Sequence, residues 1–99
     1  MTEQSWKLMR TDRLVGTLSL EAVDMFWTDC AFRPGPEWPV VQPLFDTSRE
    51  AWRRGDRQAA LTADNRIREA GLVLVSHEDG TVVTDFLIRI FEGKARFRR

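Results

Sequence analysis

The chain has 99 residues, with 15 Lys and Arg against 15 Asp and Glu, so its formal charge is zero. That excludes a general nucleic-acid binder that works by bulk electrostatics. The length suits a single domain over residues 1–99, and an apolar fraction of 42% is enough for a core without staples. One cysteine, Cys30, excludes an internal disulfide framework and any multi-cysteine metal site, and it fits a reducing cytoplasm. No apolar run approaches the roughly 20 residues of a membrane span. The polar start, Met1-Thr2-Glu3-Gln4-Ser5, lacks the basic and apolar regions of a signal peptide. A cytoplasmic location without membrane contact is expected.

Residues Ser5 to Arg10 and Leu14 to Leu20 predict two short strands around a Thr11-Asp12-Arg13 turn. Gly16 marks a bulge or a close neighbour. After Glu21-Ala22-Val23-Asp24, the run Met25 to Phe32 predicts a third strand. Met25, Trp27, Asp29 and Ala31 share one face of it, and Phe26, Thr28, Cys30 and Phe32 the other. Arg33-Pro34-Gly35-Pro36-Glu37-Trp38-Pro39 is then a stiff connector.

The middle is helical. Val41, Leu44, Phe45, Ser48 and Trp52 recur at three- and four-residue spacing. Pro43 is tolerated within a first turn, so this helix is expected to begin between Pro39 and Pro43, or to restart at Asp46. Glu50 and Arg54 stand one turn apart, and Gly55 is a C-terminal stop. Asp56 caps a second helix from Arg57 to Ala70, with Ala60, Ala63, Ile67 and Ala70 as its buried stripe and Leu61 beside it.

Leu72 to Val75 predicts an interior strand, and Ser76-His77-Glu78-Asp79-Gly80 a turn. Thr81 to Phe91 predicts a strand, Glu92-Gly93 a two-residue turn, and Lys94 to Arg99 its return. The register follows from alternation: Phe91 opposite Lys94, Ile90 opposite Ala95, Arg89 opposite Arg96, Ile88 opposite Phe97. One face is apolar. The other sets Arg89 against Arg96, a like-charge pair that something must offset: Asp85 diagonally, a carboxylate from another element, salt, or an acidic partner. The element order β-β-β-α-α-β-β-β predicts an α+β domain, one antiparallel sheet with two helices packed on one face.

The chemistry-bearing residues are few. His77 sits beside Glu78 and Asp79, a poor metal set because neighbouring loop residues rarely converge on one ion. Its simpler reading is an exposed turn histidine. Cys30 lacks any local thiol-enzyme signature and reads as a small core residue. Asp24 and Asp29 flank Met25-Phe26-Trp27 and would make an acid–base pair, or else a turn residue and a cross-strand partner of an arginine. No phosphate-loop pattern is present. Residues 1–30 carry three cations against five carboxylates, and residues 89–99 carry five cations against one. An acidic first half would therefore neutralise a basic tail within one sheet.

Four tryptophans, Trp6, Trp27, Trp38 and Trp52, are many for one small core. An exposed one would mark a protein-binding or dimerisation surface. Trp27 and Trp38, with Arg89, Lys94, Arg96 and Arg98, are the candidate partner-binding residues. The basic hairpin face also suits RNA or single-stranded DNA, or it is an edge strand that discourages aggregation.

Trp6-Lys7-Leu8, Leu14-Val15-Gly16-Thr17-Leu18, Asp24-Met25-Phe26-Trp27, Pro43-Leu44-Phe45, Ile67 to Leu72 and Asp85 to Ile88 resemble a group of small actinobacterial proteins along most of the chain. The resemblance implies no activity and carries over no site. The expected function is a small non-catalytic interaction or regulatory module acting through protein contacts, including self-association as a homodimer, with no cofactor. The alternatives are a nucleic-acid-binding protein that uses the closing hairpin, and a small enzyme with a site near Asp24, Asp29 and His77.

Overall fold

Alternation along the strands decides which side chains meet. The computed structural model describes residues 4–99; the polar start at residues 1–3 lies outside them. Strands β1 (Ser5–Arg10), β2 (Arg13–Asp24) and β3 (Trp27–Pro34) form an antiparallel meander. Helices α1 (Trp38–Arg54) and α2 (Arg57–Glu69) follow, then β4 (Leu72–Ser76), β5 (Val82–Val83), β6 (Leu87–Phe91) and β7 (Lys94–Arg98). All seven strands join one sheet in the order β5-β4-β1-β2-β3-β7-β6. The fold is α+β, as the element pattern implied.

One face of this sheet carries Trp6, Leu8, Leu18, Cys30, Phe32, Leu74, Ile88, Ile90, Ala95 and Phe97, all buried. Val41 and Phe45 of α1 and Ile67 of α2 join them in a single core. Burying each large apolar side chain contributes about 1.5–3 kcal/mol. The closing hairpin has the register that alternation demands, with Arg89 opposite Arg96 and Ile88 opposite Phe97. Glu92 and Gly93 both have positive φ, 47° and 75°, which is the type I′ geometry of a two-residue loop.

Gly16 is both a bulge marker and a close neighbour. Leu8 pairs with Gly16 but Met9 pairs with Leu14, so Val15 is the extra residue. A Cβ on Gly16 would lie 2.3 Å from the Phe32 ring, nearer than any real contact allows.

Three elements differ from expectation. First, Thr81–Phe91 is not one strand. It divides into β5, which pairs with β4, and β6, which pairs with β7. These two are the opposite ends of the sheet. Six strand spacings in a flat sheet would separate them by roughly 30 Å, whereas the four Cα steps from Val83 to Leu87 reach at most about 14 Å. The sheet therefore curls around the core, and buried Phe86 fills the crossing. Leu72 of β4 and Ile88 of β6 face one cleft with Ile67 of α2.

Second, Met25 and Phe26 lie in a turn. β2 runs on through Asp24, and Asp24 pairs with Trp27. A second bulge at Glu21, between Leu20↔Cys30 and Ala22↔Asp29, carries the hairpin outward. Third, α1 begins at Trp38 and passes through Pro43. The N–H that proline lacks would have bonded a carbonyl in the first turn, so the helix loses one bond and does not break.

Arg53, not Arg54, pairs with Glu50, at 3.5 Å, and Arg54 lies 3.8 Å from Asp56. Leu61 is exposed. The loop from His77 to Gly80 is longer than an Asp-Gly hairpin turn, closed by Ser76 N–H donating to the Thr81 carbonyl. β7 is an interior strand between β3 and β6, so its cations guard no edge.

Candidate functional site

The face of the sheet away from the core carries the charges. Alternation from Thr28 and Cys30 turns Trp27 and Asp29 outward on β3, and the same rule turns Lys94, Arg96 and Arg98 outward on β7 and Arg89 on β6. The register of β3 on β7 then sets Asp29 beside Arg96.

Each cation of the like-charge pair has a carboxylate from another element. Arg96 Nε lies 3.0 Å from Asp29 Oδ1, and its NH2 nitrogen 4.0 Å from Asp24 Oδ2. The Nε approach is an ion pair without hydrogen-bond alignment. Arg89 lies 3.8 Å from Asp64 of α2. Asp85 is engaged elsewhere, 3.7 Å from Arg68. Lys94 Nζ donates to Glu21 at 2.7 Å, so the bulge that displaces Glu21 also supplies the partner of Lys94. The acidic first half takes Lys94 and Arg96, whereas Arg89 is met by Asp64 of α2. Exposed pairs of this kind contribute about 0–1 kcal/mol each, so their effect is on local charge more than on stability.

Arg10 opposite Arg13 is the same problem at the β1–β2 turn. Buried Glu37, at the N-terminus of α1, lies 2.7 Å from Arg10 and 3.7 Å from Arg13. It ties the β1–β2 turn to the helix layer.

Trp27 is half-buried beneath guanidinium groups. Those of Arg96, Arg89 and Arg98 lie 4.7, 5.6 and 5.7 Å from its ring centroid, within cation–π range. Trp38 packs on Phe32 and Phe45 at the rim of the core. Trp6 is in the core, edge-on to Phe97. The Trp52 indole N–H donates to Asp64 at 3.2 Å. Trp6 is buried, and Trp27, Trp38 and Trp52 are half-buried, each keeping part of its surface.

Asp64 is the residue that periodicity missed. It accepts from Ser48 Oγ at 2.6 Å and from Trp52, and it faces Arg89. One carboxylate thus joins α1, α2 and β6. Glu37 was missed for the same reason: a carboxylate on a helix or in a connector ordinarily reads as solvated.

The enzyme candidates divide among three places. Asp24 and Asp29 converge on one guanidinium. His77 is exposed in the β4–β5 loop. Cys30 is buried, and burial first, then the Asp29 and Glu21 carboxylates, push its thiol up to about 12. It is protonated at neutral pH and points into the core. Among the described residues no group of three or more His, Cys, Asp or Glu is placed to hold a metal ion, and no helix is long and apolar enough to cross a membrane.

Among the described residues the one concentrated apolar exposure is the β2–β3 hairpin tip, where Val23, Met25 and Phe26 are 68%, 82% and 76% exposed. Met25 holds φ +57° while Phe26 does not have positive φ. Positive φ at the first loop position is the place where glycine is favoured. A methionine there costs about 1–2 kcal/mol and presents its side chain to solvent. Trp27, with its arginines, stands at the base of this tip. No family model, curated protein or solved structure matches the chain, so the site rests on its own geometry.

Proposed function

We propose that the protein is a non-catalytic interaction module that acts through protein–protein contacts, with the β2–β3 hairpin tip as its working surface. The observation that carries this reading is the joint exposure of Val23, Met25 and Phe26 at one turn, with a strained Met25 where glycine would be less costly. Backbone strain retained at an exposed apolar residue is a mark of use in binding. Trp27 and Arg98, both among the residues singled out from the sequence, flank the tip. Arg98 stacks on Trp27 and has no carboxylate partner among the described residues, so it is available to a partner.

The nucleic-acid reading has less support. Arg89, Lys94 and Arg96 each face a carboxylate already, and a phosphate would have to displace it.

A photo-crosslinking phenylalanine analogue at position 26 tests the proposal in cells. A discrete protein adduct is expected there and none from the same analogue at exposed Val82, on β5 at the far end of the sheet. Equal labelling from both positions, or none from either, would remove the tip as a working surface.

A further inference from the structure

We infer that the partner of the hairpin tip is a second copy of this chain, with Met25 and Phe26 of each copy seated in a groove on the outer face of the other. This rests on the interaction reading above and names its partner.

Val23, Met25 and Phe26 together expose on the order of 400 Å2, the scale of a functional patch on a monomer. A stable interface buries about 800 Å2 on each partner, so a tip docked alone supplies roughly half of what is needed. The same molecule provides the remainder. A shallow open groove of about 730 Å3 lies on the outer face beside the tip, lined by Ala22, Asp29, Arg89, Phe91, Lys94 and Arg96. Ala22 and the part of Phe91 left uncovered by the Arg49 guanidinium, which lies 3.1 Å from its ring centroid, supply apolar surface, and the groove has room for a methionine and a phenylalanine side chain. Docking one tip in one groove leaves the other tip and groove unused. Docking reciprocally about a two-fold axis uses both, doubling the burial, and such isologous pairing is the commonest form of assembly.

The walls of the groove carry Arg89, Lys94 and Arg96 against Glu21, Asp29 and Glu92, so they are neutral overall, and an apolar tip enters without leaving a net charge buried.

Sedimentation velocity over a wide concentration range is the test, with three chains. The unaltered protein is expected to reach dimer mass. Met25→Ser with Phe26→Ser, at exposed positions that leave the fold unchanged by circular dichroism, is expected to raise the dissociation constant about tenfold or more. Ala22→Trp, which fills the groove from an exposed position, is expected to do the same. Mixing the two variants restores one of the two tip-in-groove contacts and is expected to give, by native mass spectrometry, a heterodimer weaker than the unaltered dimer and tighter than either variant's homodimer. A strict monomer at the highest concentration, or a dimer indifferent to both variants, overturns the inference. A strict monomer whose position 26 still crosslinks to a different protein overturns the second copy alone. A strict monomer with no such crosslink overturns the interaction reading as well.

Discussion

Burial pushes the Cys30 thiol from its ordinary 9.0 up to about 12, and the neighbouring carboxylates of Asp29 and Glu21 add to the shift. The unfolded chain releases this proton near the ordinary value, while the folded chain keeps it. Below pH 9 both states hold the proton, so the thiol puts no slope on stability. Between about 9 and 12 the unfolded state binds fewer protons, and stability falls as pH rises. The urea midpoint is expected to drop across this window by more in the unaltered protein than in Cys30→Ala, because other groups titrate alike in both. Equal slopes would mean that the thiol is not held as described. Sequence pattern reached part of this: a lone cysteine at an inward position of a strand reads as core. The two carboxylates that raise it further come from a bulge and a cross-strand position, which pattern alone does not locate.

At the scale of elements, the two hairpins β2–β3 and β6–β7 differ in how plainly they are written. Glu92-Gly93 carries a glycine at a position with φ of 75°, and apolar alternation on both arms leaves one register with Ile88 against Phe97. Met25-Phe26 carries no turn residue. Both are strand formers, and a run from Met25 to Phe32 is the natural reading. The strand pairing overrides it: Asp24 bonds across to Trp27, and the loop is whatever remains between them. Met25→Gly is therefore expected to raise stability by about 0.5–1 kcal/mol, since glycine takes positive φ without steric cost. The same change is expected to weaken self-association. Denaturant midpoints and sedimentation on one preparation read both effects. A loss of stability would show that Met25 is not strained where it stands.

At the scale of the whole molecule, Asp64 joins what chain order separates. It links Ser48 and Trp52 of α1 to Arg89 of β6, from a position on α2. Asp64→Ala leaves the Trp52 indole N–H and the Arg89 guanidinium without their acceptor, and a loss of about 1–3 kcal/mol is expected. Chemical denaturation followed by tryptophan fluorescence measures it. A change below about 0.5 kcal/mol would place Asp64 among ordinary surface carboxylates.

Alternation and capping residues by themselves determined the α+β class, the helix ends at Gly55 and Asp56, the register of the closing hairpin, and the fact that Arg89 and Arg96 face each other. These follow from periods of 2 and 3.6 and from local backbone preferences, which neighbouring residues carry. Only the tertiary structure decided that Val83 and Leu87 belong to opposite ends of one curled sheet. It also decided that Asp29 and Asp64 sit over the two arginines, and that Met25 and Phe26 face solvent. Each of these depends on residues far apart in sequence arriving side by side, and no local pattern records which distant element will arrive.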